Sequence, residues 1–152
     1  MHLSASDVAA LAVQHKVHFL NDRAIRDNRS LGDAAGLRNL GIHLITVQPG
    51  DASTEYHVHH YEEEAIYVLS GRGTATIGDE TVAIGPGDFV GCPAGGAPHD
   101  MHAEGDEALV CLVIGQRLQQ DVVDYPQLGK RLYRNGGEWN LVEHSAIARI
   151  AR

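Results

Sequence analysis

Hydrophobic and polar residues alternate in short segments through the middle of the chain, and turn residues separate these segments. From Gly41, the segment GIHLITVQPG predicts a strand that ends at Pro49-Gly50. Further segments of this kind continue to Gly115: AIYVLSG, GTATIG, TVAIGPG, DFVGCP and EALVCLVIG. The alternation around a hairpin turn at Gly78-Asp79 favours antiparallel strands, and many short strands in succession indicate a sandwich or a small barrel. The pattern therefore predicts an all-β core over residues 41–115.

The two ends of the chain carry different patterns. SDVAALAVQH (residues 6–15) could form a short helix capped by Ser6 or Asp7, whereas residues 21–40 are polar and contain glycine, which predicts an irregular segment. After Gly115, proline and glycine interrupt a mixed pattern. We therefore expect an N-terminal arm over residues 1–40, and a C-terminal extension over residues 116–152 that packs on the barrel or on a partner subunit.

Composition narrows the class of protein. A chain of 152 residues fits one domain, and 20 acidic against 12 basic residues give a net charge of −8. An acidic chain without a basic block is a poor candidate for binding nucleic acid or an anionic membrane. Cys92 and Cys111 do not suggest a disulfide framework, and the N-terminus lacks the basic start of a signal peptide. We expect a cytoplasmic protein.

The segment HVHHYEEE (residues 57–64) concentrates side chains that bind metals. It predicts either a metal site or a solvated, charged strand end. Because side chains alternate along a strand, His57 and His59 point to one face and His60 to the other. Glu64 immediately precedes the next strand and is best placed to reach the same ion, whereas Glu62 and Glu63 are expected to be solvated. A metal site needs a further donor, and the segment GPGDFVGCPAGGAPHDMHA offers one.

Two segments resemble the two sequence motifs of the cupin superfamily: GDASTEYHVHHYEEEAIYVLSG (residues 50–71) and GDFVGCPAGGAPH (residues 87–99). The motif positions are filled by Gly50, His57, His59, Glu64 and Gly71 in the first segment, and by Gly87, Pro93, Gly95 and His99 in the second. The second segment departs from the motif by one extra residue before His99 and by Ala103 in place of a frequent asparagine. His102 falls on the opposite strand face from His99. The resemblance implies a cupin-type double-stranded β-helix, a jelly-roll barrel, with a metal held by His57, His59, Glu64 and His99.

Three imidazoles and one carboxylate suit one divalent transition metal ion, such as Zn, Mn, Fe, Ni, Co or Cu. Glu64 is also the predicted catalytic residue, since a carboxylate that leaves the metal could act as a general base. Further substrate-binding candidates are Tyr56 and Tyr61 at the pocket mouth, Met101 as an apolar wall, and Arg72 as a cation for phosphate.

Two other features have competing interpretations. Tyr67 is expected in the core. GKRLYR (residues 129–134) is interpreted as a solvated basic turn, with closure over an anionic substrate as the alternative.

A longer stretch, residues 31–145, resembles small bacterial single-domain cupins of unassigned activity, some of which carry a provisional sugar phosphate isomerase label. The resemblance implies a mononuclear metalloenzyme that acts on a small oxygenated metabolite, of isomerase or oxygenase type. The alternatives are a non-catalytic module that binds or senses a metal or metabolite, and a structural cupin whose metal ties strands together. Because exposed sheet edges invite pairing, we expect a homodimer.

Overall fold

Most of the chain lies in antiparallel β-strands. A computed structural model describes residues 1–151. Its strands are β1 (Gln14–His18), β2 (Asn21–Ser30), β3 (Leu40–Val47), β4 (Val58–His59), β5 (Glu64–Ser70), β6 (Arg72–Ile77), β7 (Glu80–Ile84), β8 (Phe89–Cys92), β9 (His99–Glu104), β10 (Leu109–Gln116), β11 (Gln120–Tyr125), β12 (Lys130–Asn135) and β13 (Glu138–Glu143). The helices are α1 (Ala5–Ala10), α2 (Leu31–Ala34) and single 3-10 turns at Pro126–Leu128 and His144–Ala146.

The strands form three sheets that confirm the predicted all-β jelly-roll fold. Their strand orders are β1-β2-β3-β10-β5-β8, β7-β6-β9 and β13-β12-β11-β4. The main apolar core lies between the first two sheets. It includes Ile45, Val47, Ile66, Val68, Leu109 and Cys111 from the six-stranded sheet, and Ala75, Ile84, Met101 and Ala103 from the three-stranded sheet. Burial of these facing side chains from water closes the barrel.

The side chains of strand β5 alternate between the barrel interior and the outer face. Ile66 and Val68 are buried, whereas Tyr67 is 44% exposed. The prediction that Tyr67 lies in the core is therefore wrong. The interior takes the strand face that Glu64 shares with Ile66 and Val68, and Tyr67 lies on the outer face.

The N-terminal region is more regular than predicted. Helix α1 begins after Ser4, whose side chain forms a capping box with Asp7, and it ends before β1 begins at Gln14. The predicted helix over 6–15 is thus too long, and its predicted cap is wrong. The irregular segment predicted for 21–40 is also wrong over residues 21–30, which form β2. This strand pairs with β1 on one side and β3 on the other, so that tertiary pairing overrides its polar composition.

The C-terminal region forms a sheet against the histidine-bearing strand. Strand β11 pairs with β12 and, on its other edge, with β4, where Val123 lies opposite His59. The GKRLYR segment, interpreted as a basic turn, instead contributes β12. The segment after the barrel therefore reaches the strand from which the metal site was predicted.

No helix within residues 1–151 is long and apolar enough to cross a membrane.

Candidate metal centre

Three imidazoles surround the carboxylate of Glu64, those of His57 and His99 most closely. Glu64 Oε2 lies 3.5 Å from His57 Nε2, 3.9 Å from His59 Nε2 and 3.2 Å from His99 Nε2. His57 and His99 are buried, and His59 and Glu64 are half-buried. The structure thus brings together the four residues predicted as ligands, with one ring nitrogen of each histidine directed at the same carboxylate oxygen.

Strand pairing fixes the positions of the histidines. His57 and His99 face each other in an antiparallel bridge, where each backbone N–H donates to the other residue's carbonyl oxygen at 3.1 and 2.8 Å. His59 follows two residues after His57, so its ring lies on the same side, with centroids 5.0 Å apart. His102, three residues after His99, is exposed beside Asp100 and lies outside the cluster.

Motif glycines allow the turns around the centre. Gly71, between β5 and β6, has a φ of +78°, and a Cβ there would lie 2.2 Å from the carbonyl oxygen of Ala108. Gly95 has a φ of +66°, and its N–H donates to the carbonyl oxygen of His59 at 2.7 Å. A side chain at either position would be strained, because a positive φ is unfavourable for residues with a Cβ.

Hydrogen bonds orient two of the imidazoles. His57 Nδ1 lies 2.8 Å from the carbonyl oxygen of Glu55, and His59 Nδ1 lies 2.5 Å from Asp121 Oδ2. An oxygen acceptor at Nδ1 selects the tautomer that carries the proton there and leaves the Nε2 lone pair free. The donor set, its convergence and its orientation therefore fit a divalent metal ion held by three histidines and one carboxylate.

The electrostatics of the cluster also fit a cation. Burial alone would raise the pKa of Glu64, but hydrogen bonds from His57 and His99 hold it well below its usual range. Burial lowers the pKa of His99, but the neighbouring Cys92 and Glu64 outweigh this and raise it to about 10. The pKa of His59 is raised too, because Asp121 and Glu64 outweigh its burial. The acidic neighbours thus favour positive charge on His59 and His99, and a bound metal would supply that charge in place of the protons.

The remaining polar residues of the 57–64 segment point elsewhere. His60 Nε2 lies 2.8 Å from Asp124 Oδ2, and Glu63 is exposed. Glu62 is 4% exposed, so the prediction that it is solvated is wrong. Its carboxylate accepts hydrogen bonds from the Arg134 guanidinium and, at 2.6 Å, from the backbone N–H of Leu118. This buried ion pair depends on residues that follow the barrel, which the local sequence does not reveal.

His59, Glu62 and Asp121 form a second group of side chains with metal-binding atoms within 4.8 Å of one another. His59 Nδ1 is already bonded to Asp121, and Arg134 neutralises Glu62. We therefore interpret this group as the support that orients His59, rather than as a second metal site.

The converging side chains open into a cavity of about 650 Å³, a volume suited to a small molecule. Met101 lines this cavity. The other predicted substrate-binding residues do not belong to its lining. Tyr56 is buried and donates to the carbonyl oxygen of Gly78 at 2.8 Å, Tyr61 is 61% exposed, and Arg72 is exposed on β6.

Several cavity residues were not identified from the sequence. Lys16 and Arg26 come from β1 and β2, and Tyr125, Arg134 and Trp139 come from the C-terminal sheet. Burial, as the largest cause, raises the pKa of Tyr125 to about 12, so its phenol stays neutral and can donate a hydrogen bond. The cavity-lining residues of β2 alternate along the strand, at Ala24, Arg26 and Asn28. Because two of these three residues are polar, the alternation does not show as a hydrophobic pattern in the sequence.

Comparison with known proteins identifies the family to which this barrel belongs. A model of the cupin domain matches residues 43–115. The chain belongs to the cupin superfamily.

Two relatives of known structure match 99% of the chain, and a further relative matches half of it. A provisionally named sugar phosphate isomerase from Acidithiobacillus ferrooxidans is 59% identical, with 99% of this chain and 97% of that chain covered and a TM-score of 0.97. A sugar phosphate isomerase from a cupin superfamily of Silicibacter pomeroyi is 22% identical, with 99% and 98% covered and a TM-score of 0.84, which supports the fold alone. An uncharacterised protein of Streptomyces coelicolor is 33% identical over 76 residues, which cover 50% of this chain and 70% of that protein.

Proposed function

We propose that this cupin is a mononuclear metalloenzyme that isomerises a small oxygenated metabolite, with one divalent transition metal ion held by His57, His59, Glu64 and His99. The observation that carries the proposal is the convergence of three Nε2 atoms on Glu64 Oε2, within 3.9 Å, at the wall of a cavity. The name of the 59% identical relative supports isomerisation over the oxygenase alternative.

The chemistry divides between the ion and the protein. When bound, the ion supplies a Lewis acid for a hydroxyl or carbonyl oxygen of the substrate. Glu64 is ionised and lines the cavity, so once it leaves the ion its carboxylate can accept a proton from the carbon beside that carbonyl. Return of this proton to the former carbonyl carbon, together with transfer of the hydroxyl proton to the former carbonyl oxygen, completes the isomerisation without an oxidant or reductant. Tyr125 is neutral in the same cavity and can donate a hydrogen bond to the substrate oxygen that gains charge.

The first test is metal content, measured by mass spectrometry on protein purified without chelator. We expect close to one ion per chain in the wild type, and loss of most metal in His57→Ala and in His99→Ala. His60→Ala is the matched control, because its imidazole is bonded to Asp124 rather than directed at the centre. If His60→Ala loses metal as completely as His57→Ala, or if wild-type protein binds no metal after reconstitution, the proposed centre is wrong.

The second test is turnover. Aldose and ketose phosphates in deuterium oxide should gain deuterium at the carbon beside the carbonyl only with metal-loaded protein. Compared at equal metal occupancy, Glu64→Gln should slow this exchange by at least about 100-fold, since it removes the proton acceptor, whereas His60→Ala should retain it. A protein that binds metal but catalyses neither exchange nor isomerisation would instead support a binding module or a structural metal.

A further inference from the structure

Two basic residues share the cavity with the metal centre. Lys16 on β1 and Arg26 on β2 lie opposite each other in the antiparallel register, and both line the cavity. Strand β2 pairs with β1 along one edge and with β3 along the other, and Arg26 is only half-exposed. The two cations are therefore held close together on a wall of the site rather than free on the outer surface.

Neither cation has an acidic partner. Within residues 1–151, no carboxylate oxygen lies within 4.0 Å of the Lys16 ammonium or the Arg26 guanidinium, and Arg26 donates to the backbone carbonyl of Ser53. Arg134, the other cation of the cavity lining, is paired with Glu62. An unpaired, partly buried cation is costly, and two neighbouring ones add mutual repulsion.

The pKa shifts around the pair also show that its positive charge is poorly stabilised. Burial, and then the charge of Arg26, lower the pKa of Lys16, and burial likewise lowers the pKa of Arg26. His43 lines the same cavity, and burial and the neighbouring cations lower its pKa as well, so it stays neutral at pH 7. Glu64 favours the charged form of Arg26 and Asp33 that of Lys16, but the histidines of the metal centre already contact Glu64 and Arg117 is paired with Asp33. Within residues 1–151 the pair therefore has no carboxylate of its own, and a bound anion would supply the missing negative charge.

We propose that Lys16 and Arg26 form an anion subsite that binds the phosphate group of the substrate while its oxygenated carbon end lies at the metal centre. This assignment rests on the proposed function, whose substrate it narrows to phosphate monoesters of small hydroxylated carbon compounds. A guanidinium and an ammonium supply the charge-assisted donors that a phosphate dianion accepts. Asn28 and the neutral His43 line the same wall and add further polar groups. The predicted phosphate cation Arg72 is exposed outside the cavity, so the subsite replaces it.

The test measures binding of a matched pair of probes, glycerol 3-phosphate and glycerol, by titration calorimetry. Wild-type protein should bind glycerol 3-phosphate at least about tenfold more tightly than glycerol. Arg26→Gln and Lys16→Gln should each weaken that binding by roughly tenfold or more, and Arg26→Lys, which keeps the charge, should lose less than Arg26→Gln. Arg23→Gln is the matched control, because Arg23 lies on the same strand but is exposed and paired with Asp51 outside the cavity. Equal binding of the two probes, or wild-type binding by both glutamine variants, would overturn the subsite.

Inorganic phosphate, titrated into metal-loaded and metal-free protein, separates this inference from the proposed function. Phosphate binding that persists without metal and is lost in Arg26→Gln supports the subsite even if no turnover is found. Normal metal content and normal exchange, together with unchanged phosphate binding in both glutamine variants, overturn the subsite and leave the function standing. Malonate that binds as tightly as phosphate would overturn the assignment to phosphate. Thermal midpoints and metal content confirm that each variant folds, and Lys16→Gln carries the test if Arg26→Gln does not fold.

Discussion

At the scale of single residues, Asp121 controls the orientation of one ligand. Its side chain is fully buried, lies 2.5 Å from His59 Nδ1 and also accepts the Tyr61 N–H at 3.1 Å. A buried carboxylate in this position holds the ring and increases the basicity of the nitrogen that faces the metal.

Asp121→Asn should therefore weaken metal binding by roughly 10- to 100-fold. The neutral amide lacks the negative charge that orients the His59 ring and increases the basicity of its Nε2 atom. Competition against a chelator of known affinity measures the change. Asp106→Asn is the control, since Asp106 is exposed in the loop before β10 and does not line the cavity. Unchanged affinity in Asp121→Asn would show that the contact does not tune the centre.

The sequence predicted some of these residues and concealed others for a physical reason. Strand alternation placed His57 and His59 on one face, and the family resemblance selected His99. The position of Glu64 directly before the next strand favoured it over Glu62 and Glu63. The burial of Glu62 and the role of Asp121 depend on hydrogen bonds to residues about 60 positions away along the chain. No local periodicity encodes such pairs, because they exist only once β11 lies beside β4.

At the scale of elements, Asp124 joins β4, β11 and β12. Its carboxylate accepts two hydrogen bonds from Arg131, at 2.6 and 2.7 Å, and lies 2.8 Å from His60 Nε2 and 2.9 Å from His144 Nε2. The Arg131 hydrogen bonds are the largest cause that holds the pKa of Asp124 well below its usual range. The ionised carboxylate thus stabilises the C-terminal sheet.

This network predicts a pH dependence of stability. A depressed carboxyl pKa contributes stability above the unfolded value of about 3.9, and this contribution is lost as pH falls below it toward the folded value. At pH 7, Asp124→Asn should lower the free energy of unfolding by about 1–3 kcal/mol, and the difference from wild type should shrink below about pH 4. Urea denaturation of metal-free protein across this pH range measures it.

Asp106→Asn, an exposed position in the loop before β10, is the control and should show little difference at any pH. A pH-independent deficit in Asp124→Asn would instead indicate a packing defect.

The elements outside the 41–115 core were the hardest to predict. In the sequence, residues 21–30 lack the apolar alternation of a strand. The reason is that Arg26 and Asn28 occupy the strand face that lines the cavity, where apolar residues would otherwise stand. The sequence signal for the strand was weak where the strand lines the cavity. Local sequence rules fail most often at such positions, because their residues do not pack an apolar core.

At the scale of the whole molecule, the proposed metal would link parts of all three sheets. His59 belongs to β4, Glu64 to β5 and His99 to β9, which lie in different sheets. Any ligand that binds the folded state alone stabilises it, by about 2.7 kcal/mol at a free concentration of 100 times its Kd.

Removal of the metal by chelation should therefore lower the thermal midpoint of wild-type protein and leave that of His99→Ala nearly unchanged. Differential scanning calorimetry with and without chelator measures both. If removal of a stoichiometric metal leaves the thermal midpoint of the wild type unchanged, the result would contradict a metal site that forms only on folding. The expected homodimer stays a prediction.

The pairing of β11 with β4 has a consequence for how this protein can vary. The family match ends at residue 115, yet Asp121, Tyr125 and Arg134 of the following segment complete the cavity or support His59. The four converging side chains and their surroundings thus come from different stretches of the gene. Recombination near residue 115 would exchange one wall of the site while keeping the ligands, so chimeras of related chains could change substrate preference without rebuilding the barrel.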